Sequence, residues 1–214
     1  MDIFELFGGA SNPEKAAQMS AYMRNQFLFL GIQKPERKKL SLGFLKAIDK
    51  KTVGWDFVTK CWELPEREYQ YLAIDYLTKM APVLTPEDIP DLESLITTKS
   101  WWDTVDSLDI IVGDIALRYP QVNDTLILWS TDDNIWLRRT AIDHQLARKG
   151  KTNTGLLEKI IQNNLGQEEF FINKAIGWSL REFSKTNPDW VREFIEKHKT
   201  KMSPLSVREG SKYI

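Results

Sequence analysis

Four segments of the chain can be laid over one another at nearly regular spacing, and this repetition limits the folds available to it. The segments are EYQYLAIDYL, WWDTVDSLDI, WLRRTAIDHQL and FINKAIGWSL. Aligning Ala73, Asp106, Ala141 and Ala175 gives steps of 33, 35 and 34 residues. Such a period is typical of stacked helical pairs in solenoid proteins. Because tetratricopeptide and ankyrin signatures are missing, the pattern favours HEAT-like repeats stacked into a curved α-solenoid with a concave face.

Prolines mark where the predicted helices begin. They occur in SNPEK, QKPER, ELPER, LTPED, TNPDW and MSPLS, each time near a polar or capping residue. Proline is favoured in the first helical turn because its missing N–H would have no intrahelical partner there. Since hairpin signals and alternating strand patterns are missing, we predict an all-α chain. Its length of 214 residues and the lack of a low-complexity linker predict one domain over residues 1–214.

The balance of charges and the rarity of cysteine and histidine exclude several kinds of site. Lys and Arg total 29 against 30 Asp and Glu, so any basic surface must be local. Cys61 is the only cysteine, which excludes an intramolecular disulfide and a cysteine-cluster zinc site. The two histidines, His144 and His198, follow no ligand pattern. We therefore expect neither a metal ion nor another cofactor.

Targeting and membrane signals are weak. The N-terminus, MDIFELFGGA, lacks the basic start of a signal peptide. The best apolar run, LDIIVGDIAL, is short and interrupted by Asp109 and Asp114, so we expect no membrane-spanning helix. These features predict a cytoplasmic protein, which we expect to be a monomer.

Helical spacing separates the two neighbouring tryptophans of TKSWWDTVDS. A complete core stripe repeats at steps of three and four residues: Trp101, Val105, Leu108, Val112 and Ile115. Trp102 and Asp106, one turn apart, lie beside that stripe and are available for a role other than core packing. Two structural alternatives stay open, because an off-stripe tryptophan can pack against the next repeat and a lone aspartate is most often solvated.

The same separation recurs in two other predicted helices. The stripe Ile172, Ile176, Ser179 and Phe183 leaves Trp178 on a face shared with Lys174 and Arg181. An aromatic ring between two cations suits contact with phosphate and sugar. In the first helix the predicted stripe is Met19, Met23, Phe27 and Leu30, with Tyr22 to one side.

Two further sets of charged residues have structural explanations. Arg139 lies on the shoulder of a stripe formed by Ile135, Ile142 and Leu146, and Asp143, four residues on, is placed to pair with it. The cations Lys34, Arg37, Lys38 and Lys39 are more often a solvated helix face than a phosphate clamp.

The chain resembles the AlkD-like DNA alkylation-repair glycosylases, which are built from HEAT-like repeats. The matching stretches are YMRNQFLFLGIQKPER, CWELPEREYQ, TKSWWDTVDS, DNIWLRRTAI and EEFFINKAIGWSLREFSKTNPDWV. They run in order across most of the chain, and KSWWDTVD with FFINKAIGW is a specific combination. The segment LDIIVGDI departs from the family pattern, since it carries Asp109 and no proline.

The resemblance implies a catalytic group of Trp102, Asp106 and Arg139, with Trp178 and Tyr22 nearby on a concave DNA-binding face. The helical face of Trp178 adds Lys174 and Arg181 as expected DNA contacts. The implied activity is that of a monofunctional DNA glycosylase in base excision repair. It would hydrolyse the N-glycosidic bond of N3- or N7-alkylated purines, such as 3-methyladenine and 7-methylguanine, in double-stranded DNA without a metal.

The residues fit that chemistry. An alkylated purine is cationic and can leave without being protonated, so one carboxylate that stabilises the sugar cation and orients water is sufficient. No histidine or second carboxylate is recognisable near Asp106, so we expect no general acid. Two alternatives remain, a non-catalytic structure-specific DNA-binding protein and a HEAT-like scaffold for protein partners.

Overall fold

Helices account for almost all the regular structure of the computed structural model, which describes residues 2–214. The α-helices are α1 (Ile3–Gly9), α2 (Pro13–Tyr22), α3 (Lys34–Ala47), α4 (Trp55–Glu63), α5 (Arg67–Met80), α6 (Ile89–Thr97), α7 (Trp102–Arg118), α8 (Val122–Trp129), α9 (Ile135–Asp143), α10 (Thr154–Gln162), α11 (Phe170–Ser184), α12 (Pro188–His198) and α13 (Pro204–Gly210). The one β contact within these residues is an isolated parallel bridge between Leu28 and Glu66. The predicted all-α class is confirmed. In the described part of the chain, no helix combines the length and the apolar character needed to cross a membrane.

The prolines have the predicted role at helix starts. Four of the six predicted prolines occupy one of the first two positions of α2, α3, α12 and α13. Pro86 instead begins a short 3-10 turn before α6, and Pro65 lies two residues before the start of α5. Three of these helices also have a side-chain cap, because Asn12, Asn187 and Ser203 each accept a hydrogen bond from a backbone N–H of the first turn. Local sequence is therefore enough to explain where these helices begin.

The helices fall into two compact units, one running to Leu84 and the other Thr85–Ile214. In the first unit α3 packs against α1 and α5, and α4 packs against α5. The prediction of one domain over residues 1–214 stays a prediction.

In the second unit the helices form two layers. Helices α7, α9, α11 and α13 lie in a row, each packed against the next, and α6, α8, α10 and α12 pack against that row. Four members of the predicted α7 stripe are fully buried, namely Val105, Leu108, Val112 and Ile115, whereas the fifth, Trp101, precedes the helix and is half-buried. The other repeat segments of this unit lie on α9 and α11, as their spacing indicates.

The predicted stripe of the first helix is wrong. Helix α2 ends at Tyr22, and the next residues include Arg24 and Asn25, both with φ of 57°, so the chain leaves the helix there. Of the four residues in that stripe only Met23 is buried. The cause is a tertiary contact: the buried Glu68 carboxylate accepts hydrogen bonds from the backbone N–H groups of Leu30, Gly31 and Ile32 at 2.9, 2.9 and 3.0 Å. These bonds hold the segment as a loop.

Candidate functional site

Trp101, the residue before α7, anchors the N-terminal end of that helix. Its ring centroid lies 5.8 Å from that of Trp136 and 5.1 Å from that of Phe171. Trp136 and Phe171 lie in the first turns of α9 and α11, so this aromatic cluster ties three helix ends together. Trp102 then begins α7, and both Trp102 and Asp106 are partly exposed.

Asp106 is held by Arg139 of the neighbouring helix α9. The Nε and Nη2 groups of Arg139 donate to the two carboxylate oxygens of Asp106 at 2.7 and 2.9 Å, which is a bidentate pair. The Nη1 group donates to the backbone carbonyl of Phe171 at 2.7 Å. The Asp106 side chain keeps 20% of its surface exposed, whereas that of Arg139 keeps 2%. Two of the predicted catalytic residues thus meet, and the guanidinium fixes the orientation of a carboxylate that solvent can reach.

Two more carboxyl groups lie beneath this pair. Asp109 and Asp143 are buried, and carboxyl oxygens of Asp106, Asp109 and Asp143 lie within 4.8 Å of one another. Asp143 Oδ2 is 3.7 Å from Arg139 Nη2, which confirms the pairing considered from the sequence. We call these three acids and Arg139 the acidic cluster. The expectation that no second carboxylate lies near Asp106 was wrong, although both missed acids stand at helical spacings, three residues after Asp106 and four after Arg139.

Burial decides the charge of the acidic cluster. Burial raises the pKa of Asp143 to about 8 against the lowering effect of Arg139, and Asp106 raises it further. Burial, followed by the charges of Asp143 and Asp106, raises the pKa of Asp109 well above its ordinary value. Burial alone would lower the pKa of Arg139, but Asp143 and Asp106 raise it, so this residue stays cationic. At neutral pH the cluster therefore holds one cation, Arg139, and Asp143 is mostly protonated, while the upward shift in the pKa of Asp109 favours its protonated form as well.

The spacing of the three carboxyl groups is compatible with a metal ion. The positive charge among them is already supplied by Arg139, and neither oxygen of Asp109 or Asp143 has a hydrogen-bond partner within residues 2–214. Because burial favours the neutral form of both acids, a metal ion is not needed to explain their presence, and the expectation of a metal-free site stays a prediction.

Trp178 of α11 lies among three cations. Its ring centroid is 5.7 Å from Cζ of Arg139, 5.6 Å from Nζ of Lys174 and 5.6 Å from Cζ of Arg181. The predicted face of Trp178, Lys174 and Arg181 is therefore present as one assembly, and Arg139 joins it to the acidic cluster. These distances are within the range of cation–π attraction.

One carboxylate, which the sequence did not reveal, organises these cations. Glu209 of α13 lies 3.2 Å from Lys174, 3.1 Å from Arg181 and 3.5 Å from Lys212, measured between ionised atoms. We call these four residues the Glu209 cluster. Helix α13 reaches this position because Gly177 has no side chain: a Cβ there would lie 2.6 Å from Cβ of Glu209. Burial alone would raise the pKa of Glu209, but the hydrogen bond and charge of Lys174 and the charge of Lys212 lower it overall.

Tyr22, the remaining predicted site residue, belongs to the first unit. It is the last residue of α2 and is 72% exposed. It lines a cavity of about 270 Å³ together with Met19, Phe29 and Tyr71. Its role beside Asp106 stays a prediction.

A cavity of about 360 Å³ lies next to the acidic cluster. Its walls include Ile110 and Leu117 of α7 together with Asp143 and His144, whereas Trp102 and Asp106 are not among its lining residues. His144 donates from Nδ1 to the carbonyl of Ala141 at 2.7 Å, and burial, with the charge of Arg148, lowers its pKa to about 3. His144 is therefore a neutral structural residue at neutral pH.

Comparison with known proteins identifies the family. Residues 3–214 match the family model described as DNA alkylation repair enzyme. A solved structure described as a predicted DNA alkylation repair enzyme from Enterococcus faecalis is 41% identical, with a TM-score of 0.88, over 95% of this chain and 96% of that one. The structure of smu.31 from Streptococcus mutans UA159 has a TM-score of 0.64 at 15% identity, over 94% of this chain and 98% of that one, which shows a likeness of fold alone. No curated protein matches significantly. Because the family model covers nearly the whole chain, this protein belongs to the family of DNA alkylation repair enzymes.

Proposed function

We propose that this member of the family is a monofunctional DNA glycosylase that acts as a monomer on cationic N3- and N7-alkylated purines in double-stranded DNA. The observation that carries the proposal is the Asp106 carboxylate, partly exposed and fixed by both arms of the buried Arg139 guanidinium. Trp102 lies one helical turn before Asp106 on the same face. The role of the family in DNA alkylation repair supports DNA as the substrate.

Asp106 provides the charge that the reaction needs. The bond between C1′ and the base nitrogen breaks, and its electron pair goes to the alkylated base, which leaves as a neutral molecule. The deoxyribose becomes cationic, and the Asp106 carboxylate stabilises that charge. A water oxygen then bonds to C1′, and its proton passes to Asp106. No protonation of the leaving base is required.

Arg139 acts mainly by holding Asp106. A bidentate guanidinium limits the rotation of the carboxylate and directs its oxygens. All three nitrogen groups of Arg139 already have acceptors, because Nε and Nη2 donate hydrogen bonds to Asp106 and Nη1 donates one to the carbonyl of Phe171. A phosphate contact would therefore have to share or displace one of these bonds.

The tryptophans suit a cationic substrate. An indole face attracts a cation by roughly 0.5–2 kcal/mol, depending on its solvation. We assign this role to Trp102 and Trp178 at the alkylated nucleotide. Lys174 and Arg181, on the face of Trp178, would contact phosphates.

The direct test is release of base from DNA that contains N-methylated purines. We expect the wild-type protein to release base and Asp106→Asn to release it at least about 100-fold more slowly, because a group that stabilises the transition state is lost. Asp114→Asn is the matched control, since Asp114 is on the same helix and pairs with Arg118 at the surface. DNA binding without release would favour the non-catalytic DNA-binding protein, and no DNA binding would favour the protein scaffold.

A panel of duplexes, each with one lesion, tests the absence of a general acid. We expect release of 3-methyladenine and 7-methylguanine but not of uracil, hypoxanthine or 1,N6-ethenoadenine, which are neutral leaving groups. Burial favours the protonated form of Asp109 and Asp143, but it also keeps their carboxyl groups from reaching a base directly. The reaction should be unaffected by EDTA and should leave the abasic strand unbroken. Efficient release of a neutral base would mean that another residue supplies a proton.

A further inference from the structure

A groove in the first unit carries an unbalanced positive charge. It has a volume of about 500 Å³ and lies between α3 and α5. Its walls include four exposed lysines: Lys38, Lys46, Lys50 and Lys79. The whole chain has a net charge of −1, so this concentration of lysines is a local feature.

The one acid in the groove wall is already neutralised. Asp75 accepts a hydrogen bond from Nε of the buried Arg37 at 3.2 Å. Arg37 is also fixed by Tyr71, whose ring centroid lies 4.7 Å from its Cζ. None of the four lysines forms an ion pair with any residue in the range 2–214. The groove therefore presents about four uncompensated charges to solvent.

Three lysines near the other end of the chain are differently placed. Lys185, Lys197 and Lys199 each form an ion pair with a glutamate. The two cations predicted to contact DNA in the second unit, Lys174 and Arg181, are both paired with Glu209. A polyanion would have to compete with carboxylates for the cations at those positions, whereas the one carboxylate of the groove, Asp75, is paired with Arg37 and not with a groove lysine.

The spacing of the groove lysines suits a row of phosphates. Lys38 and Lys46 are both on α3, eight residues apart, which corresponds to about 12 Å along the helix axis. Phosphates of one duplex strand advance by about 3.4 Å along the DNA axis, so this length spans three to four of them. Lysine ammonium groups on flexible stems can follow a phosphate backbone without reading bases.

We propose that this groove, which we call the lysine groove, binds the phosphodiester backbone of duplex DNA. The proposal rests on the proposed function only in taking DNA as the substrate. The lysine groove contributes affinity that is independent of sequence and of the lesion, and it takes no part in breaking the glycosidic bond.

The test compares two triple variants on duplex DNA without a lesion, with affinity measured against salt concentration. The first variant combines Lys38→Gln, Lys46→Gln and Lys79→Gln, and the control combines Lys185→Gln, Lys197→Gln and Lys199→Gln. Both remove three positive charges from exposed positions. Each lost phosphate contact reduces the salt slope by about 0.9, so the groove variant should have a slope smaller by about 2.7. Between 50 and 200 mM salt the wild type should then lose about 40-fold more affinity than the groove variant.

The control variant should retain the wild-type slope, and thermal unfolding should show that both variants are folded. An unchanged slope in the groove variant would overturn the proposal, as would an equal reduction in the control. Vesicles containing phosphatidylserine provide a second polyanion. If the groove variant loses vesicle binding while its DNA binding is unchanged, the groove serves a membrane surface and the proposal is wrong.

The outcome is distinguishable from failure of the proposed glycosylase activity. Lesion-free DNA requires no catalysis, so a reduced slope would support the lysine groove even if wild-type protein released no base. If base is released, the groove variant should match the wild-type excision rate when protein saturates the DNA. Base release together with an unchanged salt slope would support the glycosylase activity and overturn the proposed role of the lysine groove.

Discussion

The acidic cluster and the Glu209 cluster have opposite compositions. In the acidic cluster three acids surround Arg139, and in the Glu209 cluster three cations surround one carboxylate. The first is mostly buried, with side-chain exposures of 2% for Arg139 and 0% for Asp143, whereas Lys174 and Arg181 keep 26% and 21%.

This difference in burial determines how each cluster deals with its excess charge. Buried carboxyl groups can take up protons, and burial raises the pKa of Asp143 and of Asp109 accordingly. Lysine and arginine at the surface keep their charge at neutral pH, because water solvates it. Arg139 and the buried carboxyl groups thus form a fixed support for Asp106, and the Glu209 cluster keeps an excess of positive charge at the surface.

The largest expected effect comes from removing Arg139, the residue at the centre of the acidic cluster. Arg139→Ala should lower the free energy of unfolding by about 3–5 kcal/mol, since it breaks the ion pair with Asp106 and leaves the carbonyl of Phe171 without this donor. Urea unfolding of the purified protein measures this value. Arg118→Ala, which removes an exposed partner of Asp114, is the control and should cost less than about 1 kcal/mol. Similar losses in the two variants would show that Arg139 does not centre a buried network.

A smaller effect tests the protonation of Asp143. Its pKa is raised from 3.8 to about 8 by burial, so between these values the folded protein keeps a proton that the unfolded chain releases. The free energy of unfolding should therefore fall as pH rises from about 4 to 8 and then level off. Asp143→Asn removes this dependence, so its stability relative to wild type should rise over that interval.

Urea unfolding at pH 5 and at pH 8.5 measures the change, which we expect to exceed about 1 kcal/mol. Asp114→Asn removes a more exposed carboxylate, 44% exposed, and should follow the wild type at both pH values. A constant difference between Asp143→Asn and wild type would mean that Asp143 is ionised throughout.

The smallest expected effect concerns the Glu209 cluster. Glu209→Gln should increase the affinity for duplex DNA a few-fold and steepen the salt slope by up to about 1.8, because Lys174 and Arg181 lose a competing carboxylate. Glu196→Gln, which frees Lys199 at another surface position, serves as the control. An affinity that falls in Glu209→Gln would show that Glu209 positions the cations for DNA instead of competing with it.

Much of the second unit was predictable because its signals are local. The spacing of apolar residues on α7 placed Val105 and Leu108 in the core, and proline and asparagine marked helix starts such as that of α12. The face that carries Trp178, Lys174 and Arg181 also follows from helical geometry alone. The predicted helix through Met23 failed, because Glu68, 36 to 38 residues away in sequence, binds the loop that replaces it.

The sequence by itself determined the all-α class, the order of the helices and the faces on which Trp102, Asp106 and Trp178 lie. The periodicity of apolar residues and helix capping act over a few residues, so both can be recognised in the sequence without the fold. Tertiary structure alone decided that Arg139 forms a bidentate pair with Asp106, that Asp109 and Asp143 lie beneath this pair, and that Glu209 reaches Lys174. Those contacts depend on how closely helices approach, as at Gly177, and a change of a few ångströms in low-dielectric surroundings alters both the charge and the partner of each group.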